Sequence, residues 1–356
     1  MQLRGLVVVE DAVSAVGDAQ AVPATHHVAN QPIAHHVLDA LEAAGVHEVV
    51  VASSEQSAAA VRDCLSSREG HGATQLEFVH QPGPMEFSSA LSLAAPLVED
   101  APCIVHAAGG LLAEPLAPLA NCLDGSGPDA VLMVHHAPAP DQRLSAEAQN
   151  LLHLAELDPS RSALGVAGVW AFGPGGVRSV AAEDTAAEAA GSDLDLTVVA
   201  QRITSAGGTI HVRLVDVWRA YRGEALDLLE LNRIALDQIT SDVPQAARDG
   251  NRIEGRVRIH ETASVHGSVL VGPVVIGPGA SVADAYIGPY TAIGAGAHIE
   301  GAEIERSIIC AGASVTHVGT RLTASVVGQN ARLFRDFALP RALRLRIGDG
   351  AVVGLC

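Results

Sequence analysis

Between Ile253 and Leu333 an aliphatic residue opens each short unit of the chain: Ile253, Ile259 and Val265, then Leu270, Ile276 and Val282, then Ile287, Ile293 and Ile299. Two hexads and a pentad make a period of 17, which recurs at Ile253, Leu270, Ile287 and Ile304 and then loosens through Ile309, Val315, Leu322, Val327 and Leu333. Gly, Pro, Ser and Ala fill the intervals, as tight corners require. One inward aliphatic side chain per short strand at this period predicts a stacked parallel β-helix of about five coils. No coil of such a stack buries its apolar face without its neighbours.

The first 240 residues have a different rhythm. Short apolar runs at 6–10, 48–54, 76–81, 102–108, 131–136, 165–173 and 210–217 predict strands. Segments with helical spacing at 33–44, 56–65, 88–97, 194–206 and 223–239 fall between and after them. This alternation predicts an α/β, Rossmann-like domain with a mostly parallel sheet covered on both faces, which binds ligands beyond the carboxyl ends of its strands. The expected organisation is an α/β domain over 1–240, a linker over 241–252 containing Pro244 and Gly250, and a β-helix domain over 253–356. In its tail Leu343, Leu345 and Ile347 alternate with Arg344 and Arg346, which predicts a further strand.

Charge narrows the partners. Forty acidic residues against 22 basic ones give a formal charge of -18, which disfavours nucleic acid and anionic membrane surfaces. Five cysteines, odd in number and without a CxxC pair, suit a reducing cytoplasm, and no run of apolar residues is long enough for a membrane span. All 22 basic residues are arginine, so no lysine chemistry is open to this chain.

Sixteen histidines raise a metal hypothesis, through the pairs His26-His27, His35-His36 and His135-His136 together with His106. No HExxH or Cys/His spacing supports it, which favours surface or hydrogen-bonded histidines. His260, His266, His298 and His317 lie in the repeat, where a histidine base would suit acyl transfer, but no long loop interrupts the coils to cover a cofactor.

Several segments carry a resemblance. Val28-Ala-Asn-Gln-Pro32 is similar to V-A-N-K-P, Ala167-Gly-Val-Trp-Ala-Phe172 to V-G-V-Y-F-F, and Trp218 with Leu228–Leu236 to the segment after W-K-D-T-G. Gly272–Gly279, Asp284–Tyr290 and Pro340–Gly350 follow a long-form tail. Over nearly its whole length the chain thus resembles the sugar-phosphate nucleotidyltransferase family, in its long glucose-1-phosphate thymidylyltransferase form. The resemblance implies a left-handed β-helix of hexapeptide repeats behind the α/β domain. The activity it implies is attack of a sugar 1-phosphate on the α-phosphate of a nucleoside triphosphate, with magnesium.

The same alignment shows what has been replaced. The glycines of the family's phosphate loop, G-G-x-G-T-R-L-R-P, fall on Val8, Val9 and Asp11, its arginine on Val13 and its lysine on Pro23. Residues 8–27 contain three acids, Glu10, Asp11 and Asp18, and no arginine or lysine. Phosphoryl transfer depends on cations and metal to hold and neutralise phosphates, so this composition opposes it. The two magnesium-binding aspartates fall on Gly109 and Ala220, the glycine of the base-binding segment on Glu86, and no base replaces the E-K-P lysine near 156–159. Gln81, Asp195 and Thr197 match, and with Glu86 and Trp218 they outline a vestigial nucleotide or sugar pocket. The expectation is a pseudoenzyme without cofactor, acting as a structural or regulatory subunit in a homo-oligomer or beside an active paralogue. The alternatives are an active, magnesium-dependent nucleotidyltransferase and a small-ligand sensor.

Overall fold

The computed structural model describes residues 2–11, 22–68, 74–98, 100–123, 127–137, 143–144, 164–181, 192–337 and 354. The chain divides into two compact units, one holding Met1–Ala12, Val22–Thr25 and Ile33–Ala220, the other holding His26–Pro32 together with Tyr221–Cys356. The division at 220/221 groups the helix over 223–239 with the β-helix, whereas the sequence pattern assigns it to the α/β domain.

The first unit is built on strands β1 (Arg4–Val8), β2 (Glu48–Ser54), β3 (Gln75–Gln81), β4 (Cys103–Ala107), β5 (Gly110–Leu112), β6 (Ala130–His136), β7 (Leu164–Phe172), β8 (Ile210–Val215) and β9 (Trp218–Ala220). Its helices are α1 (Ile33–Ala43), α2 (Ala58–Ser66), α3 (Phe87–Val98), α4 (Ala117–Ala120), α5 (Gly176–Ala181) and α6 (Ser192–Ser205). Seven strands form one sheet in the order β8-β6-β7-β4-β1-β2-β3. All neighbours run parallel except β7, which is antiparallel to both β4 and β6. From β1 the chain winds outward through β2 and β3, then returns to place β4 on the other side of β1. The reversal makes the carboxyl ends of β1 and β4 the switch point of the sheet, where such folds bind ligands. The continuous apolar runs reflect a sheet buried on both faces: Leu6, Val8, Val105 and Phe172 are all fully covered.

In the second unit the 17-residue period becomes three parallel five-stranded sheets. Ile253 pairs with Leu270, Leu270 with Ile287, and Ile287 with Ile304, and the buried side chains of the last three stack along the interior. The irregular part of the repeat keeps its pairing: Ile304 meets Leu322, Ile309 meets Val327 and Val315 meets Leu333. This is the β-helix that the period predicts. The predicted strand over 343–347 lies outside the described residues.

Helix α7 (Ala225–Asp237) and the segment His26–Pro32 also belong to this unit. Asn232, fully buried, joins them: its Oδ1 accepts from the Ala29 N–H at 2.8 Å and its Nδ2 donates to the Tyr290 carbonyl at 3.1 Å. Asn30 Nδ2 donates to the Ile293 carbonyl at 2.7 Å. Ala29 and Asn30 hold left-handed backbone angles, φ 47° and 66°, that turn the chain between its two-residue strands His27–Val28 and Gln31–Pro32. The corner Gly288-Pro289-Tyr290 reads in the sequence as an exposed small and apolar turn suited to self-association. Instead α7 lies on it, with the Tyr290 hydroxyl donating to Asp237 Oδ1 at 3.2 Å, because the helix turns Asn232 and Asp237 toward that turn.

Candidate functional site

The crevice beyond β1 and β4 contains most of the positions that sequence comparison singles out, and its backbone is already committed. The N–H of Val9 donates to the Ala52 carbonyl at 2.8 Å, and the Val8 carbonyl accepts from Ala108 at 2.7 Å. Val8 and Val9 thus prolong the sheet ladder with their side chains buried, and the Val9 amide is spent on β2 rather than free to hold an anion. Asp11 lies two residues beyond Val9. Its Oδ1 accepts from the Ser54 hydroxyl at 2.8 Å, and its Oδ2 accepts a longer bond from the Met85 N–H at 3.4 Å. Ser54 is buried and bonded in turn to Ser57 at 2.9 Å. A carboxylate therefore takes donors that a phosphate oxygen at this crevice would need. Val13 and the stretch near 156–159 lie outside the described residues.

Positions 109 and 220, far apart in the chain, meet in space. Strands β5 and β9 pair antiparallel with Ala220 opposite Gly110, so Gly109 lies one residue beyond the register partner of Ala220. Neither residue has a side-chain oxygen, so the pair does not fit a divalent cation that needs oxygen ligands. The space above Gly109 is also filled: a Cβ built there would lie 2.9 Å from the Cβ of the buried Pro23. Trp218, 4% exposed, lies over two more glycines, since a Cβ on Gly110 would come 2.5 Å and one on Gly168 2.7 Å from its ring. Both glycines are needed for the indole to lie flat there. Sequence reading names Trp218 but not this packing, which joins three strands and has no local signature.

Glu86 is exposed at the amino end of α3, where its carbonyl accepts from the Ala90 N–H at 3.0 Å. The helix dipole favours a carboxylate at that end and repays nothing to a bound base. Gln81 Nε2 donates to the Pro84 carbonyl at 2.8 Å, tying down the loop before Glu86. Asp195 and Thr197 lie on α6, with side-chain placement outside the described set.

The described histidines take separate partners. His106, 1% exposed beside Trp218 at a ring separation of 5.6 Å, donates from Nδ1 to the Ala107 carbonyl at 2.8 Å. Burial holds its pKa down at about 4, so the ring is neutral at physiological pH. The buried His35 bonds the Cys64 carbonyl through Nε2 at 2.8 Å, and His26 packs on Tyr221 with ring centroids 4.4 Å apart. Among the described residues no group of three His, Cys, Asp or Glu side chains is arranged to hold a metal ion. Among them, too, no helix is long and apolar enough to cross a membrane.

No family model matches the chain. It is similar to the glucose-1-phosphate thymidylyltransferases of Streptomyces antibioticus, 26% identical over 92% of this chain and 91% of that one, and of Streptomyces griseus, 27% identical over 90% of each. It is also similar to the low-salt glycan biosynthesis nucleotidyltransferase Agl11 of Haloferax volcanii, 24% identical over 95% of this chain and 94% of that one. A solved structure from Bacillus anthracis, described as a glucose-1-phosphate thymidylyltransferase in complex with a sucrose, superposes with a TM-score of 0.54 at 14% identity, over 67% of this chain and 98% of that one, and shares the fold. End to end the chain is similar to three nucleotidyltransferases, and its fold, an α/β sheet whose order reverses at β1 followed along the chain by a parallel β-helix, accords with its resemblance to the sugar-phosphate nucleotidyltransferase family.

Proposed function

We propose that this chain is a catalytically degenerate member of that family, a pseudoenzyme that acts as a structural or regulatory subunit. One observation carries the reading: the Asp11 carboxylate holds the Ser54 hydroxyl and the Met85 amide at the mouth of the crevice. An anion entering there meets negative charge and donors already engaged. The neighbouring Gly109 and Ala220 offer no oxygen to a metal, and the absence of lysine from the whole chain removes the usual phosphate-neutralising groups. A subunit of this kind works by assembly, as a homo-oligomer or with an active paralogue through its β-helix, without cofactor. Free thiols at Cys64, Cys103, Cys122 and Cys310 suit a cytoplasmic setting.

The competing reading is an active enzyme that makes a nucleotide sugar with magnesium, and the end-to-end similarity to proteins named as thymidylyltransferases favours it. Incubating the purified chain with dTTP or UTP, glucose 1-phosphate and magnesium separates the two. The pseudoenzyme reading expects pyrophosphate release equal to a no-protein blank. Release that depends on the sugar phosphate would establish the enzyme instead.

A further inference from the structure

Within the second unit a groove of 450 Å³ runs beside α7, a size typical of small-ligand sites. Leu226, Leu229 and Arg233 stand on one stripe of the helix at i, i+3 and i+7 and form its first wall. Leu226 is 65% exposed, so this stripe is apolar surface that the helix does not bury. The second wall is made by left-handed corners of successive coils, Tyr290 (φ 60°), Arg306 (φ 49°) and Ala324 (φ 46°). An arginine is unusual in that conformation, which disfavours long side chains. Here it is held by a bond from its own N–H to the Pro289 carbonyl at 2.9 Å.

The charges at the rim are unequal. Arg233 is shared between Glu230 at 3.2 Å and Asp237 at 3.4 Å. Arg306 is exposed and its guanidinium has no side-chain partner among the described residues. The groove itself is lined by two arginines against the single Glu230, in a chain whose formal charge is -18. We propose that this groove binds a small amphiphilic organic anion, its apolar body against Leu226, Leu229, Ala324 and the Tyr290 ring and its one acidic head group on Arg306. A guanidinium gives such a head two parallel charge-assisted bonds, while the leucines exclude water from its other end. The proposal is independent of whether the crevice beyond β1 is catalytic.

The test uses the full chain and a dye pair, the anionic aromatic amphiphile anilinonaphthalene sulfonate and its uncharged counterpart phenylnaphthylamine. The sulfonate is expected to bind at one site per chain. Arg306→Asn, a side chain that tolerates the left-handed corner, should weaken it by about tenfold or more without changing the weaker binding of the neutral dye. Leu226→Asp, at an exposed position that the fold does not need, should weaken both dyes. Sulfonate affinity unchanged by either substitution would overturn the proposal, as would neutral dye binding as tightly as the sulfonate. Dye bound at apolar surface elsewhere responds to neither substitution and so counts against it.

Discussion

Pro23 and Gly109 fill each other's space: the proline ring sits where any side chain at 109 would have to begin, 2.9 Å from an added Cβ. The family resemblance implies a phosphate-binding lysine and a magnesium-binding aspartate at these positions, and two residues that look independent along the chain are one steric arrangement in the fold. Gly109→Asp with Ala220→Asp is therefore expected to lower stability by about 1–3 kcal/mol through overpacking, and to leave the protein inactive. Adding Pro23→Gly, which removes the contacting Cβ, should recover part of the lost stability, a coupling that urea titrations of the single and combined variants measure directly. Turnover is expected only when the loop is rebuilt as well, with glycine at Val8, Val9 and Asp11, arginine at Val13 and lysine at Pro23. Magnesium-dependent binding of dTTP to the double aspartate variant, read by calorimetry, would contradict this.

Asp11→Ala removes a carboxylate but no apolar packing, and its bonds to Ser54 and Met85 are made at an exposed position. The expected stability change is under about 1 kcal/mol. The larger effect should be on anions: tripolyphosphate protects the variant against thermal unfolding more than it protects the parent. Equal behaviour of the two proteins would show that something other than this charge excludes phosphate.

His106 links stability to pH. Its pKa falls from an ordinary value near 6.5 to about 4 because burial penalises the charged ring. Between those values the unfolded chain binds a proton that the folded chain does not, so stability is lost as pH falls from about 6.5 to about 4, by up to about 3 kcal/mol. His106→Gln should flatten that part of the profile in chemical unfolding at a series of pH values. Glu42 acts in a lower window. Its hydrogen bonds from Arg68 hold its pKa down at about 2, so its contribution is present above the ordinary carboxylate range and is lost only as pH falls toward 2.

Asn232→Ala should be among the more damaging single changes, because it leaves the Ala29 N–H and the Tyr290 carbonyl without their partner. A loss of about 2–4 kcal/mol is expected from two unmet backbone groups and a small cavity. Asn232→Asp should be no milder at neutral pH, since it keeps the acceptor for Ala29 but buries a carboxylate oxygen against the Tyr290 carbonyl. A melting temperature within a degree or two of the parent for the alanine variant would count against the clamp.

The repeat was the most legible part of this chain, since each aliphatic position that marks the 17-residue period is the β-pairing partner of the next, as Leu270 is of Ile287. Sheet strands were nearly as clear, β2 matching its apolar run from Glu48 to Ser54. Strands as short as β5 and β9 have no periodicity to read, and only the family alignment hinted that residues 109 and 220 belong together. The Pro23 contact with Gly109, the indole over Gly110 and Gly168, and the capture of the Ser54 hydroxyl and the Met85 amide by Asp11 are tertiary facts. None leaves a pattern in local sequence. The membership of α7 is another: its amphipathic stripe says that one face is buried, and not against what.

The bond between Asn232 and Ala29 spans 203 positions of the chain. On the ribosome, residues 26–32 emerge long before the helix and coils that hold them, and they precede α1 directly. These bonds therefore cannot form until the whole sheet has been synthesised and the coil containing Tyr290 and Ile293 has emerged. The chain is interleaved, so no single cut separates its two units. A truncation before Arg252 removes the carbonyls of Tyr290 and Ile293 and strands Asn30 and Asn232, which makes folding yield, rather than subunit number, the first quantity such a fragment would report.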